Sequence, residues 1–305
     1  MKKKLLYILF FGSIFSCFSQ QLPQFTQYMF NTIAINPAYA GSRNSLSAVG
    51  IYRNQWTGFD GAPETGTVSI HSPLRNDKIG LGLSFINDAL GFENFTFVYA
   101  DFSYTIRTGL NSRLAFGIKG GFSSYSLDGE LFQDPDVISD PFFGQRFNEF
   151  NPNFGAGVYF YNDKLYAGFS SPRLLNYDNN GVGGDDFRAI DRNSYYLLGG
   201  YVFTLNPNVK LRPSFLVQYT RGAPASVNLT ANFLFYDKLW LGASYRFADS
   251  VGAIVDFQVS PQIRLGYAYE YSVSDIRPFN SGTHEVLLIY ELKFLNSKLK
   301  SPRYF

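Results

Sequence analysis

Segments in which apolar and polar residues alternate recur from near position 46 to the end of the chain, and no other feature constrains the fold as tightly. In Ser226 to Tyr236, Val227, Leu229, Ala231, Phe233 and Phe235 share one parity, while Ser226, Asn228, Thr230 and Asn232 share the other. The next segment repeats the pattern, with Leu239, Leu241, Ala243, Tyr245 and Phe247 alternating with Gly242, Ser244 and Arg246. Successive side chains of an extended strand point to opposite faces, so each segment reads as a strand with one apolar and one polar face. Similar registers run through Ile79 to Phe85, Val98 to Ile106, Leu114 to Phe122, Phe154 to Phe160, Val209 to Tyr219, Val251 to Val259, Ile263 to Tyr271 and Val286 to Phe294. Less regular segments at Leu46 to Arg53, Glu64 to Ser72, Leu165 to Ser170 and Ser194 to Leu205 bring the total to about fourteen, an even number as bacterial single-chain membrane barrels require.

The charges discriminate between a membrane barrel and a soluble sandwich. Asp101, Lys119, Lys210, Arg212, Arg246, Asp256, Arg264, Glu270, Glu291 and Lys293 all fall on the polar parity of their strands. A cationic side chain at mid-bilayer costs roughly 2 to 4 kcal/mol, which explains the bias. A soluble sandwich would also segregate its charges, but would bury its apolar face in a second sheet and need fewer aromatic strand ends. Here 22 Tyr and 32 Phe gather near strand ends, as in the aromatic girdles of membrane barrels. Only 16% of residues are charged, against about 25% in soluble domains. The mean hydropathy of -0.09 excludes a greasy helical bundle, and after Arg43 no apolar run approaches the roughly 18 to 20 residues of a membrane helix. The expected fold is all-β, a transmembrane antiparallel up-and-down β-barrel of about fourteen strands with a short N-terminal plug-like segment. Its strands occupy positions 44–294.

Loop lengths orient it. Brief turns around Arg75 to Asp77, Gly109 to Asn111, Asn162-Asp163, Asn206-Pro207, Tyr236-Asp237 and Pro261-Gln262 take every second connection. The alternate set includes Tyr125 to Asn151, Ser171 to Asn193 and Ser274 to Thr283. Short turns belong to the periplasmic rim and long loops to the exterior, so both termini are expected in the periplasm of a bacterial outer-membrane protein. Asp101 and Lys119 then face one another across the hairpin that turns at Gly109 to Asn111, and a lumenal cross-strand ion pair is expected there.

Before the strands lie two other pieces. Lys2, Lys3 and Lys4 precede the apolar run Leu5 to Phe15, and Ser19 offers a cleavage point, so positions 1–19 read as a secretory signal peptide. The only cysteine, Cys17, falls inside it. A lipid anchor on Cys17 is disfavoured by the bulky Phe15 two positions earlier. Gln20 to Arg43, QQLPQFTQYMFNTIAINPAYAGSR, follows. Pro23 suits the first turn of a helix, Phe25, Tyr28, Met29 and Ile33 recur at helical spacing, and Asn36-Pro37 ends it. A lumen enclosed by about fourteen strands is too wide for wall side chains to fill. This segment, beginning at the periplasmic mouth or within the lumen, reads either as a plug or as a docking arm.

Enzymatic constellations are thin. The two histidines, His71 and His284, stand in no metal-ligand spacing, and no serine signature accompanies His284 and Glu285 as a triad would need. Gly-rich Asn180 to Gly184 lacks the lysine of a phosphate loop. Asp178, Asp185, Asp186 and Asp191 cluster in a loop where solvation is the ordinary fate and weak Ca²⁺ binding the alternative. No catalytic residue, metal or cofactor is expected, and the charge of +2, without a basic patch, argues against nucleic acid. Beyond the last strand, positions 295–305 form a basic tail with Lys298, Lys300 and Arg303; either Phe294 or Phe305 is the terminal aromatic of an insertion signal.

Several local motifs remain: NPAYAG at Asn36 to Gly41, RNQWTGFDGAP at Arg53 to Pro63, SIHSPL at Ser69 to Leu74, LGYAYEY at Leu265 to Tyr271 and GTHEVLL at Gly282 to Leu288. With these the sequence resembles, from about Gln21 to Phe294, the PorP/SprF family, outer-membrane proteins of the type IX secretion system and its gliding-motility branch. The resemblance implies a non-enzymatic barrel that partners, helps export or anchors a large secreted cell-surface adhesin through its C-terminal domain. It also implies type IX secretion or peptidoglycan-linked periplasmic components as further partners beside the lipid bilayer. Matched residue by residue, it singles out Asn36, Pro37, Tyr39 and Gly41; Arg53, Gln55, Trp56, Gly58, Phe59, Gly61 and Pro63; and His284 with Glu285. Trp56 and Phe59 would anchor a rim loop whose turns Gly58 and Gly61 permit, or would contact a partner directly. The rival class is an outer-membrane porin or transporter of small, hydrophobic solutes gated by the N-terminal segment.

Overall fold

The computed structural model describes residues 23–127, 148–178, 190–191 and 193–292. The leader, the tail, and the expected features at Lys293, Phe294, Asn180 to Gly184, Asp185 and Asp186 lie outside them; for Asp178 and Asp191 only the backbone is described, in a two-residue ladder.

Staves follow one another in sequence order: β1 Leu46–Asn54, β2 Glu64–Pro73, β3 Ile79–Leu90, β4 Glu93–Arg107, β5 Arg113–Leu127, β6 Asn148–Tyr161 and β7 Leu165–Ser171. Stave β8 is Ser194–Tyr201 continued by Phe203–Asn206, and β9 Val209–Thr220, β10 Ser226–Phe235, β11 Leu239–Arg246, β12 Ser250–Gln258, β13 Ile263–Ser272 and β14 Thr283–Leu292 complete the wall. All neighbours are antiparallel, and β1 pairs β14 from Leu46 opposite Leu292 to Asn54 opposite His284, so the sheet closes on itself. The sheet counts fifteen strands, two of which are the halves of β8 running along one edge of β9, which leaves a closed barrel of fourteen. Closure gives every stave a neighbour on both sides, which a bilayer demands because lipid offers no hydrogen bonds.

One stave departs from the expected pattern. Ser194 to Leu205 is not continuous: at Val202 the ladder breaks, its N–H donating instead to the Lys164 carbonyl in the β6–β7 turn. The register against β9 then shifts between Thr204 and Asn206. A bulge of this kind sits at the barrel rim, where re-aiming a strand disturbs the wall least.

The wall is inverted relative to a soluble protein. Val68, Ile118 and Phe154 are 58%, 63% and 59% exposed on the outer face, whereas Asp101, Lys119, Arg212, Arg246, Asp256, Arg264, Glu270 and Glu291 are buried within. Lys210 sits at the short-turn rim against Asp237. Glycines and small polar residues on the inner face of β2 to β7 leave room for the N-terminal segment, which is where the core lies.

That segment is not one helix. Pro23 precedes irregular chain, and Tyr28–Phe30, Thr32–Ile35 and Pro37–Tyr39 form three separate single turns. A helix exposes one stripe and buries another, but Phe25, Thr26, Gln27, Tyr28, Met29, Phe30, Asn31 and Thr32 are all buried. With wall on every side, contacts are gained by bending the chain toward each wall in turn. Asn36 does end the second turn in extended conformation before Pro37, as the residue before a proline should.

Candidate functional site

Between the staves, the segment runs from the long-loop end of the wall to the short-turn end. Gln24 accepts a hydrogen bond from Ser226 at the long-loop end of β10 (3.0 Å), while Arg43 pairs with Glu291 at the short-turn end of β14 (2.7 Å). In between, Phe30 meets Trp240 edge to face near the short-turn ends of the staves, with the Arg212 and Arg264 guanidiniums 4.7 and 5.2 Å from its ring. The chain then climbs back, its Ile35 carbonyl accepting from Ser170 (2.8 Å) near the long-loop end of β7, before descending to Ala40, whose carbonyl accepts from Ser103 (2.7 Å). Burial pushes the Tyr28 hydroxyl well above the usual tyrosine range, so it stays protonated.

NPAYAG occupies a seat of missing side chains. Asn36 caps its own turn by accepting from the Ala38 N–H (3.0 Å), and its amide donates to the Val158 carbonyl (3.1 Å). A Cβ on Gly117 would collide with the backbone of Pro37-Ala38, and one on Gly157 with the Asn36 side chain. Tyr39 packs edge to face on His71 and Tyr159. Gly41, at φ +73°, donates its N–H to His71 Nδ1 (3.1 Å). Asp101 lies opposite Lys119, and the Nζ–Oδ1 distance is 2.8 Å; Lys119 also donates to the Ile33 carbonyl (3.3 Å), so the pair touches the segment.

At the long-loop mouth, residues from distant motifs converge. Arg53 is buried and forks between Glu270 (Nη2, 2.6 Å) and Glu285 (Nη1, 3.2 Å). Glu285 in turn accepts the backbone N–H groups of Thr26 and Gln27, each at 2.9 Å. Glu270 is shared with Arg246 (3.0 Å), which reaches the partly exposed Asp249 (2.8 Å). Every acid here faces a donor, as buried charges require. His284, one residue before Glu285, points outward and shares a 2.6 Å hydrogen bond with the Tyr267 hydroxyl, so the HE step splits across the wall.

The rest of RNQWTGFDGAP forms a stapled rim loop. Trp56 (φ +52°) donates its N–H to Thr283, Thr57 exchanges backbone hydrogen bonds with Gly282 and Ser281, and Gln55 N–H reaches the Pro63 carbonyl. Gly58 (φ +91°) and Gly61 (φ +72°) supply left-handed turns, and the Gly61 carbonyl accepts from Gly91. Phe59 stays 43% exposed beside a cleft of about 360 Å³ lined by Asn54, Gly58, Asp60, Gly61, Glu64 and Gly91. Nothing in the sequence marks Thr26, Gln27, Arg246 or Glu270 as site residues. Two of these carry ordinary lumenal charges and the other two act through backbone N–H groups, so only the closed barrel reveals them.

A family model for the type IX secretion system membrane protein PorP/SprF matches residues 17–290. The chain belongs to that family. This PorP/SprF protein is accordingly an outer-membrane β-barrel of the type IX secretion system. Comparison with curated proteins gives no sequence match. Among solved structures, it is similar to the CymD monoaromatic hydrocarbon channel at 10% identity and TM-score 0.51, covering 87% of this chain and 93% of that one. It is also similar to the toluene transporter TodX of P. putida at 11% identity and TM-score 0.50, covering 87% and 94%. At such identity the likeness is one of fold.

Proposed function

We propose that this PorP/SprF protein is a non-enzymatic partner of a secreted cell-surface adhesin, holding it at the long-loop rim while the N-terminal segment plugs the lumen. The observation that carries this reading is the seating of residues 25–45 among inward-facing side chains of most staves, from the Glu285 mouth to the Arg43–Glu291 pair. A barrel occupied in this way is better suited to anchoring than to conduction. The stapled loop with exposed Phe59 and its open cleft offers a docking surface. Periplasmic components of the secretion machinery would meet the short-turn rim. In this orientation the Leu292 end of β14 faces the periplasm, whereas Pro23 lies in the outer half of the lumen, which departs from the expectation that both ends of the chain are periplasmic.

The rival, a solute transporter gated by the segment, draws on the fold shared with CymD and TodX. The apolar gap beside Phe25 has a volume of only about 30 Å³, against roughly 300 Å³ or more for ordinary ligand pockets. Deleting residues 20–43 separates the two. Raised bilayer conductance with adhesin lost from the cell surface supports the anchor; lost solute uptake with surface adhesin intact supports the transporter. Crosslinked pull-down from outer membranes then identifies the partner.

A further inference from the structure

The two ends of the N-terminal segment are held by separate sets of contacts. At the short-turn end it joins β1 covalently, lies against glycine backbone at Gly80 and Gly117, contacts that depend on shape, and carries the Arg43–Glu291 pair, which shares no member with the long-loop network. At the long-loop end its grip is electrostatic: the Thr26 and Gln27 N–H groups rest on Glu285, and the Thr26 hydroxyl accepts from Arg53 (3.1 Å). We propose that the alternating chain Asp249, Arg246, Glu270, Arg53, Glu285 is a latch on the segment, and that it is worked from the long-loop mouth through Asp249. This rests on the reading of the segment as a plug.

The sign of the coupling follows from the alternation. Asp249 is the only partly exposed member, its side chain 33% accessible, and it shares Arg246 with Glu270. Neutralising Asp249, whether by substitution or by a basic group of a docked partner, leaves Arg246 wholly to Glu270. Glu270 then draws less on Arg53, and Arg53 turns more fully to Glu285. A Glu285 carboxylate more fully neutralised by Arg53 holds the Thr26 and Gln27 N–H groups less strongly. Each ion pair is largely shielded from water, so the effect passes inward with less screening than on an open surface. A cationic partner arriving at the mouth would therefore loosen the leading end of the segment, while the glycine-seated end keeps it tethered.

Cysteine labelling reads this directly, because Cys17 is the only cysteine in the sequence. In a Cys17→Ser background, Phe25→Cys places a buried thiol beside the latch. The rate of maleimide labelling of the full-length barrel in detergent is the readout, with heat-modifiable gel mobility showing that each variant is folded. Glu285→Gln is expected to raise the rate about tenfold and Asp249→Asn about threefold, the second being smaller because it acts through three intervening pairs. Lys210→Gln, which removes the rim pair with Asp237 at the other end, is expected to leave it unchanged. An unchanged rate in Asp249→Asn beside a raised one in Glu285→Gln overturns the latch but leaves the plug. An equal rise in Lys210→Gln overturns it as well. If Phe25→Cys alone labels as fast as a thiol at the exposed Leu110, the plug reading fails and the latch with it.

Discussion

Gln27 and Glu285, 258 positions apart, are joined by a 2.9 Å hydrogen bond from the Gln27 N–H to the Glu285 carboxylate. The bond ties the start of the chain to its last stave, inside a wall that neither residue could build alone. Because Arg53 on β1 meets the same carboxylate, barrel closure and seating of the segment share one set of contacts.

Lys119→Met should destabilise the barrel by about 3–5 kcal/mol, because it leaves the Asp101 carboxylate buried without its cation. The double variant Lys119→Met/Asp101→Leu should recover most of that loss. Urea unfolding in lipid vesicles measures both. Equal stabilities of the single and double variants would argue against an interior pair.

Gly117→Leu puts a side chain where the Pro37-Ala38 backbone lies. Overpacking typically costs about 1–3 kcal/mol, and the cheapest relief is displacement of the segment. Limited proteolysis should then cut within Asn36 to Gly41 while the wall stays intact.

On the outer face, Ile118→Arg should cost roughly 2–4 kcal/mol if the residue lies near the bilayer midplane. Its neighbour Lys119, one position along the strand, is already charged. Unfolding in vesicles should separate Ile118→Arg sharply from wild type, and a neutral outcome would contradict the register of β5.

Gly61→Val forces a β-branched residue to φ +72°, a left-handed conformation costing about 1–2 kcal/mol. The strain is confined to the rim loop, so heat-modifiable mobility should persist while recovery of the adhesin proposed as partner falls in crosslinked pull-downs. Unchanged recovery would remove the loop from the docking surface.

Much of this was legible in the chain. Period-two alternation located the staves and, by parity, sorted residues such as Asp256 and Val255 onto inner and outer faces. Register across a tight hairpin brought Asp101 to Lys119, because a short turn fixes which residues oppose. The N-terminal segment forms three single turns rather than the one helix its spacing suggests, since spacing in a sequence does not show that the segment is enclosed on every side. Interruption of β8 at Val202 was likewise invisible, because the competing acceptor, the Lys164 carbonyl, comes from another turn.

The barrel wall, its inner and outer faces and the family motifs can be read from the residues in order, because strand periodicity and the cost of charge in lipid act locally. Tertiary structure alone decided what those motifs do together. Arg53 and Glu285 lie at opposite ends of the sheet in sequence and become direct neighbours only when β1 closes on β14. Glu285 then finds Thr26 and Gln27 because the segment threads the space that closure creates, and backbone N–H groups carry no mark in a sequence that would announce their partner.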